Sequence, residues 1–189
     1  MTKKENIFTV SNGLSLLRLL MTIPFWFLFD YFDTEWGRIS LISLALVGAF
    51  TDWADGFAAR KMNQVTEFGK IIDPLADKIC IGGIIFKMYL IGLINPFLFY
   101  LILGRDLIIF TAGLLLAKKI KRVLPSNMLG KITVTSIGVY ILIKLIGIED
   151  SSQLTLGVYY LTVLLIFLSL FAYAFRAAEF IRLKSNENI

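Results

Sequence analysis

The sequence predicts an all-α integral membrane protein with six transmembrane helices, and three observations predict it. Of the 189 residues, 57% are hydrophobic and only 17% are charged, and the mean hydropathy is +0.76. A soluble domain of this length carries about 25% charged residues. Six stretches approach the roughly 20 apolar residues that a membrane-crossing helix needs. The connections between those stretches alternate in charge. The length fits a single membrane domain covering residues 1–189.

The first span runs from Leu14 to Phe32. Ahead of it and overlapping its start, VSNGLSLLRLL reads as a short amphipathic helix along the interface, with Ser11 or Asn12 as its cap. Arg18 breaks the apolar core and no small-residue cleavage site follows, so the segment reads as retained rather than as a secretory signal. The second span runs from Ile39 to Ala59, the third from Ile71 to Ile94 and the fourth from Phe97 to Ala117. The fifth, Ile132 to Gly147, is the weakest because Lys144 interrupts its far end, from which a lysine snorkels to the interface. The sixth runs from Leu154 to Phe175.

Orientation follows from the connections. Lys3, Lys4 and Arg18 mark the start, Arg60, Lys61 and Lys70 follow the second span, and KKIKR follows the fourth. Arg176, Arg182 and Lys184 close the chain, while DYFDTEWGR and IEDSSQ are acidic and IGLINP is uncharged. Positive loops face the cytoplasm. Both termini and the aspartate-rich stretch between spans two and three are therefore expected on the cytoplasmic side of the inner membrane.

Composition also excludes chemistry. The chain has no histidine, which removes a Ser-His-Asp triad, imidazole-ligated zinc and a phosphohistidine. Its one cysteine, Cys80, forbids an internal disulfide and, in an apolar run, reads as a small buried hydrophobe.

The informative stretch is DWADGFAARKMNQVTEFGKIIDPLADK, residues 52–78. Asp52, Asp55, Gly56 and Ala59 fall at i, i+3, i+4 and i+7, one stripe of a helix; Gly69, Asp73 and Asp77 fall at i, i+4 and i+8, one stripe of the next. KMNQVTE turns between them at the surface, with Thr66 as a cap. Pro74 sits near its helix start, where proline is tolerated or makes a bend. Asp52 lies about 12 Å along the axis from Arg60, near headgroup depth. One aspartate at a helix end can simply be solvated. Four converging there would repel one another unless protonated or neutralised by cations. Hard divalent ions take oxygen ligands, so two Mg²⁺ or Mn²⁺ ions would balance the four charges. Such a pair is a recurring device of phosphoryl chemistry.

Read as a pattern, Asp52-x₂-Asp55-Gly56-x₂-Ala59-Arg60-x₈-Gly69-x₃-Asp73-x₃-Asp77 resembles the signature of the CDP-alcohol phosphotransferases, six-helix membrane enzymes of phospholipid synthesis that often form homodimers. The resemblance implies that Asp52, Asp55, Asp73 and Asp77 hold two metals and that Asp77 is also the general base. It implies that Gly56, Arg60, Thr66 and Gly69 lie at the CDP-linked lipid and that Ala59 lines the nucleotide pocket. The expected reaction transfers the phosphatidyl group of CDP-diacylglycerol to an alcohol and releases CMP.

The acceptor is read from the basic residues. Arg105 in ILGRDL lies inside the fourth span, where an arginine is costly unless it pairs or binds an anion. It could pair with Asp106 or with the carboxylate cluster, or grip an acceptor phosphate, and Arg122 and Lys131 are further candidates to reach that phosphate. A phosphorylated acceptor points to glycerol 3-phosphate, and SNGLSLLRLL with LGRDL resembles phosphatidylglycerophosphate synthases. Glu is commoner there at the place of Asp106. GRD is also similar to the cardiolipin synthases, which use phosphatidylglycerol; inositol phosphate and serine are less favoured acceptors. The rival of a different class is a small cation transporter. It would distribute acids across the bilayer, whereas the cluster here lies at one face.

Overall fold

The computed structural model describes residues 10–62, 69–120 and 128–187. Every regular element among them is helical: α1 (Val10–Leu28), a 3-10 turn (Phe29–Tyr31), α2 (Glu35–Met62), α3 (Gly69–Leu90), α4 (Pro96–Ile120), α5 (Met128–Ile146) and α6 (Gln153–Glu187). Six helices cover the six expected spans, so the fold class is that of an all-α integral membrane protein. The helices group into two compact units, residues 1–94 and 95–189.

In the first unit α1 packs against both α2 and α3. The segment VSNGLSLLRLL is helical and forms the first part of α1, continuous with the span rather than a separate short helix. Ser11 and Asn12 consequently fall inside α1 rather than at a cap. The physical reason is that nothing stronger than Gly13 interrupts the run before Pro24. Pro24 lacks an N–H for the Leu20 carbonyl, and the helix tightens into the 3-10 turn five residues later.

Helix α2 begins at a built cap. Thr34 Oγ1 accepts the Gly37 N–H at 3.0 Å and donates to the Tyr31 carbonyl at 2.7 Å. Gly37 is required there, because a Cβ would stand 2.0 Å from the Tyr31 carbonyl oxygen. Helix α3 ends in a Schellman motif: Gly92, at φ +74°, donates to Tyr89 at 3.1 Å, and Leu93 donates to Met88 at 2.9 Å. Phe25, Phe29, Leu41, Cys80, Ile85, Met88 and Ile94 form the buried apolar interior of this unit. Cys80 is buried, as its apolar surroundings led us to expect.

In the second unit α6 packs against both α4 and α5. Leu98, Phe99, Ile102, Ile137, Tyr140, Ile143, Leu145 and Ile166 are buried in it. Along α6, Thr155, Thr162 and Ser169 recur every seven residues and are all buried. Thr162 and Ser136 of α5 share a hydrogen bond of 2.7 Å, and Thr133 Oγ1 donates to the Leu165 carbonyl at 3.1 Å. Small hydroxylated residues let two membrane helices approach and join them where apolar side chains gain nothing over lipid.

By length and apolar character, α4 over Pro96–Gly113, α5 over Met128–Ile146 and α6 over Gln153–Phe180 can each cross a bilayer. A shorter apolar stretch covers Leu19–Tyr31. Helices α2 and α3 have the length but carry the aspartate-rich signature toward one end, which shortens their uninterrupted apolar run.

Candidate functional site

The signature occupies the second half of α2 and the first half of α3. Asp52, Asp55, Gly56, Ala59 and Arg60 all lie on α2, which continues as helix to Met62. Gly69 opens α3, and Asp73, Pro74 and Asp77 lie on its first nine residues. Helical backbone runs unbroken through each set, so the spacings i, i+3, i+4, i+7 and i, i+4, i+8 become physical stripes at about 1.5 Å rise per residue. The side chains of these residues, and the whole of Thr66 and Arg122, lie outside the described residues.

The donor set itself is informative. Four carboxylates with no histidine anywhere in the chain offer only hard oxygen ligands, the set that suits Mg²⁺ or Mn²⁺ and not a soft thiophilic ion. The residues present therefore fit the divalent ions that the pattern implies.

Arg105 stands in α4, nine residues into the helix, and is 7% exposed. Its Nη1 donates to Asp106 Oδ1 at 2.6 Å, its Nε to Ser169 Oγ of α6 at 3.4 Å, and its Nη2 to the Gly130 carbonyl of α5 at 3.4 Å. Of the pairings open to it from sequence, the one with Asp106 is made. Lys131, the residue after Gly130, is exposed in the first turn of α5. Arg105 is thus bonded to the backbone of the residue that precedes Lys131.

One further charged group, Lys87, was not singled out from sequence, and for another, Lys144, sequence named no partner. Lys87, in the last turn of α3, is paired with Asp30 of the 3-10 turn at 2.6 Å and lies 5.0 Å from the centre of the Trp26 ring. Lys144, in the last turn of α5, is buried and paired with Asp150, so it reaches the helix end and is fixed there by an ion pair. Each is a lone cation in an apolar run, but only Lys144 stands next to an acidic connection; Lys87 precedes the uncharged IGLINP, and only the chain path shows that it meets Asp30.

A profile of the CDP-alcohol phosphatidyltransferase family matches residues 8–175. The chain belongs to that family. As a CDP-alcohol phosphatidyltransferase family member it is 41% identical over 112 residues to the CDP-diacylglycerol--glycerol-3-phosphate 3-phosphatidyltransferase of Aquifex aeolicus (strain VF5), covering 58% of this chain and 61% of that one. A protein of the same name from Bacillus subtilis (strain 168) is 31% identical over 138 residues, 67% of this chain and 70% of the relative. Another from Escherichia coli (strain K12) is 40% identical over 75 residues, 40% of this chain and 41% of the relative. The matched stretch therefore spans about three fifths of the Aquifex protein and less of the Escherichia one. The family profile runs through α1 to α6 and includes every signature residue.

Proposed function

We propose that this chain transfers the phosphatidyl group of CDP-diacylglycerol to glycerol 3-phosphate, releasing CMP and forming phosphatidylglycerophosphate. The observation that carries the reading is the complete eight-position signature, held on two consecutive helices in unbroken helical register. The printed name shared by the three relatives supports glycerol 3-phosphate as the acceptor over phosphatidylglycerol or inositol phosphate. The family match covers both compact units, which supports residues 1–189 acting as one domain.

In this reading Asp52, Asp55, Asp73 and Asp77 would hold two Mg²⁺ or Mn²⁺ ions. When bound, such ions neutralise the diphosphate and the charge left on the departing CMP. Asp77 takes the proton from the acceptor hydroxyl, as general base. The acceptor oxygen then bonds to the phosphorus that carries the lipid, and the bond from that phosphorus to the CMP oxygen breaks with its electron pair. Arg60 offsets the charge gained by CMP. Gly56 and Ala59 leave the room that a larger side chain would take from the nucleotide, and Thr66 and Gly69 complete the CDP-lipid contacts. Arg105, Arg122 and Lys131 form the basic set for the acceptor's phosphate. The alternating charge of the connections supports both termini and the α2–α3 signature on the cytoplasmic face of the inner membrane. Family resemblance supports a homodimer.

The test is direct. Purified protein with CDP-diacylglycerol, Mg²⁺ or Mn²⁺ and glycerol 3-phosphate is expected to release CMP, with a lipid product that migrates as phosphatidylglycerophosphate. A chelator is expected to stop turnover and excess Mg²⁺ or Mn²⁺ to restore it. CMP release with phosphatidylglycerol alone would reassign the acceptor; no CMP release with any alcohol would overturn the reading.

A further inference from the structure

A buried arginine in a membrane helix needs a reason, and the surroundings of Arg105 give a specific one. Three of its five N–H donors are taken by the chain's own groups on three different helices. Asp106 cancels its charge at 2.6 Å. Ser169, 1% exposed, donates its own proton to the Ile166 carbonyl at 2.8 Å and so has lone pairs left for Nε of Arg105. The contact on α5 is to the carbonyl of Gly130, which immediately precedes Lys131. Lys131 differs in every respect: it is exposed, and among the described residues no carboxylate pairs with it.

A neutralised, inward-bonded guanidinium attracts an anion less than an unpaired ammonium does, whereas a fork tied to three helices fixes backbone position well. We propose that Arg105 is a positioning residue for the acceptor's phosphate. Held by Asp106 and Ser169, it fixes the first turn of α5 through the Gly130 carbonyl, and Lys131 on that turn makes the charge contact. The inference rests on the proposed use of a phosphorylated acceptor and assigns unlike roles within its basic set. It also gives Asp106 and Ser169 a part that the signature does not contain.

A double-mutant cycle separates this from two independent phosphate ligands. In the full-length enzyme, Arg105→Ala is expected to raise the KM for glycerol 3-phosphate roughly 10-fold when Lys131 is present, and less than about 2-fold in a Lys131→Ala background. Lys131→Ala alone is expected to raise that KM by at least as much, with the KM for CDP-diacylglycerol unmoved in all variants. Thermal stabilisation by added glycerol 3-phosphate, without CDP-diacylglycerol, is expected to follow the same pattern. Ser169→Ala, which keeps the Arg105–Asp106 pair, supplies a milder variant should Arg105→Ala not fold. Its effect on the acceptor KM is likewise expected to vanish when Lys131 is absent. Additive effects, or an Arg105→Ala effect that persists in full without Lys131, overturn the positioning role while leaving the acceptor assignment intact. Absence of any glycerol 3-phosphate-dependent CMP release from the unmodified enzyme would overturn that assignment instead.

Discussion

Helices α3 and α5 finish alike and begin differently. Each ends at a glycine with positive φ, Gly92 or Gly147, in the same pair of backbone hydrogen bonds. Each carries a buried lysine in its last turn, joined to an aspartate outside the helix. At their starts they part: α3 carries Asp73 and Asp77, while α5 carries Lys131. The shared ending is a way to stop a membrane helix and satisfy a cation at the same point. The unlike beginnings are where the two units differ in residue type, α3 opening with two signature aspartates and α5 with a lysine. Reach also differs. Lys87 meets Asp30 across 57 positions of chain and so ties α3 to the end of α1, whereas Lys144 meets Asp150 only six residues on.

The largest test of that contrast is at the start of α3. Asp77→Asn is expected to lower kcat by roughly 1,000-fold, within the range of a lost general base. CDP-diacylglycerol binding and the Tm should be largely kept, because three carboxylates remain. An unchanged kcat would remove the base role and make the two ends of α3 chemically equivalent.

Next comes the long-range pair. Asp30→Asn leaves Lys87, with a side chain 11% exposed, facing an uncharged partner, and is expected to cost about 2 kcal/mol in a reversible unfolding measurement. The figure sits below that of a fully buried pair because Asp30 itself is 54% exposed. Lys87→Met, which fills the space without the charge, should cost less than Asp30→Asn; the opposite order would mean that the Trp26 contact outweighs the ion pair.

Smaller again, Gly92→Ala and Gly147→Ala should each cost about 1 kcal/mol from the left-handed backbone alone. Nothing lies within 4 Å of a Cβ at Gly92, so crowding adds nothing there. Asp150→Asn is expected to be the mildest, about 0.5 kcal/mol, since Asp150 is 73% exposed and closes only a local turn. A loss equal to that of Asp30→Asn would erase the distinction between the long-range and the local pair.

Much of this was legible from residue order, for reasons that can be named. Apolar runs and charge alternation set six helices because a bilayer penalises any unsatisfied backbone, so span and helix coincide. The signature was readable because helical periodicity converts spacing into a stripe without knowledge of the fold. The N-terminal stretch VSNGLSLLRLL is helical as expected, and sequence did not show that its helix runs without a break into the first span, because backbone helix needs a real breaker to stop. Partnerships were the unreadable part. Arg105 had Asp106 or the carboxylate cluster to choose from, and Lys87 had its partner 57 residues away. Thr162 and Ser169 look in sequence like any scatter of small polar residues until the fold sets Thr162 against Ser136 of α5 and Ser169 against Arg105 of α4.

The length of α6 has a practical consequence. Its apolar part alone, Gln153–Phe180, measures 28 residues or about 42 Å, against roughly 30 Å of hydrocarbon, and regular helix continues to Glu187. Leaning enough to hide that excess would exceed the inclination usual for such helices. The surplus turns therefore stand clear of the oil as a stiff mast, and a fluorophore grafted there through uninterrupted helix would turn any swing of α6 during a catalytic cycle into a readable change of polarisation.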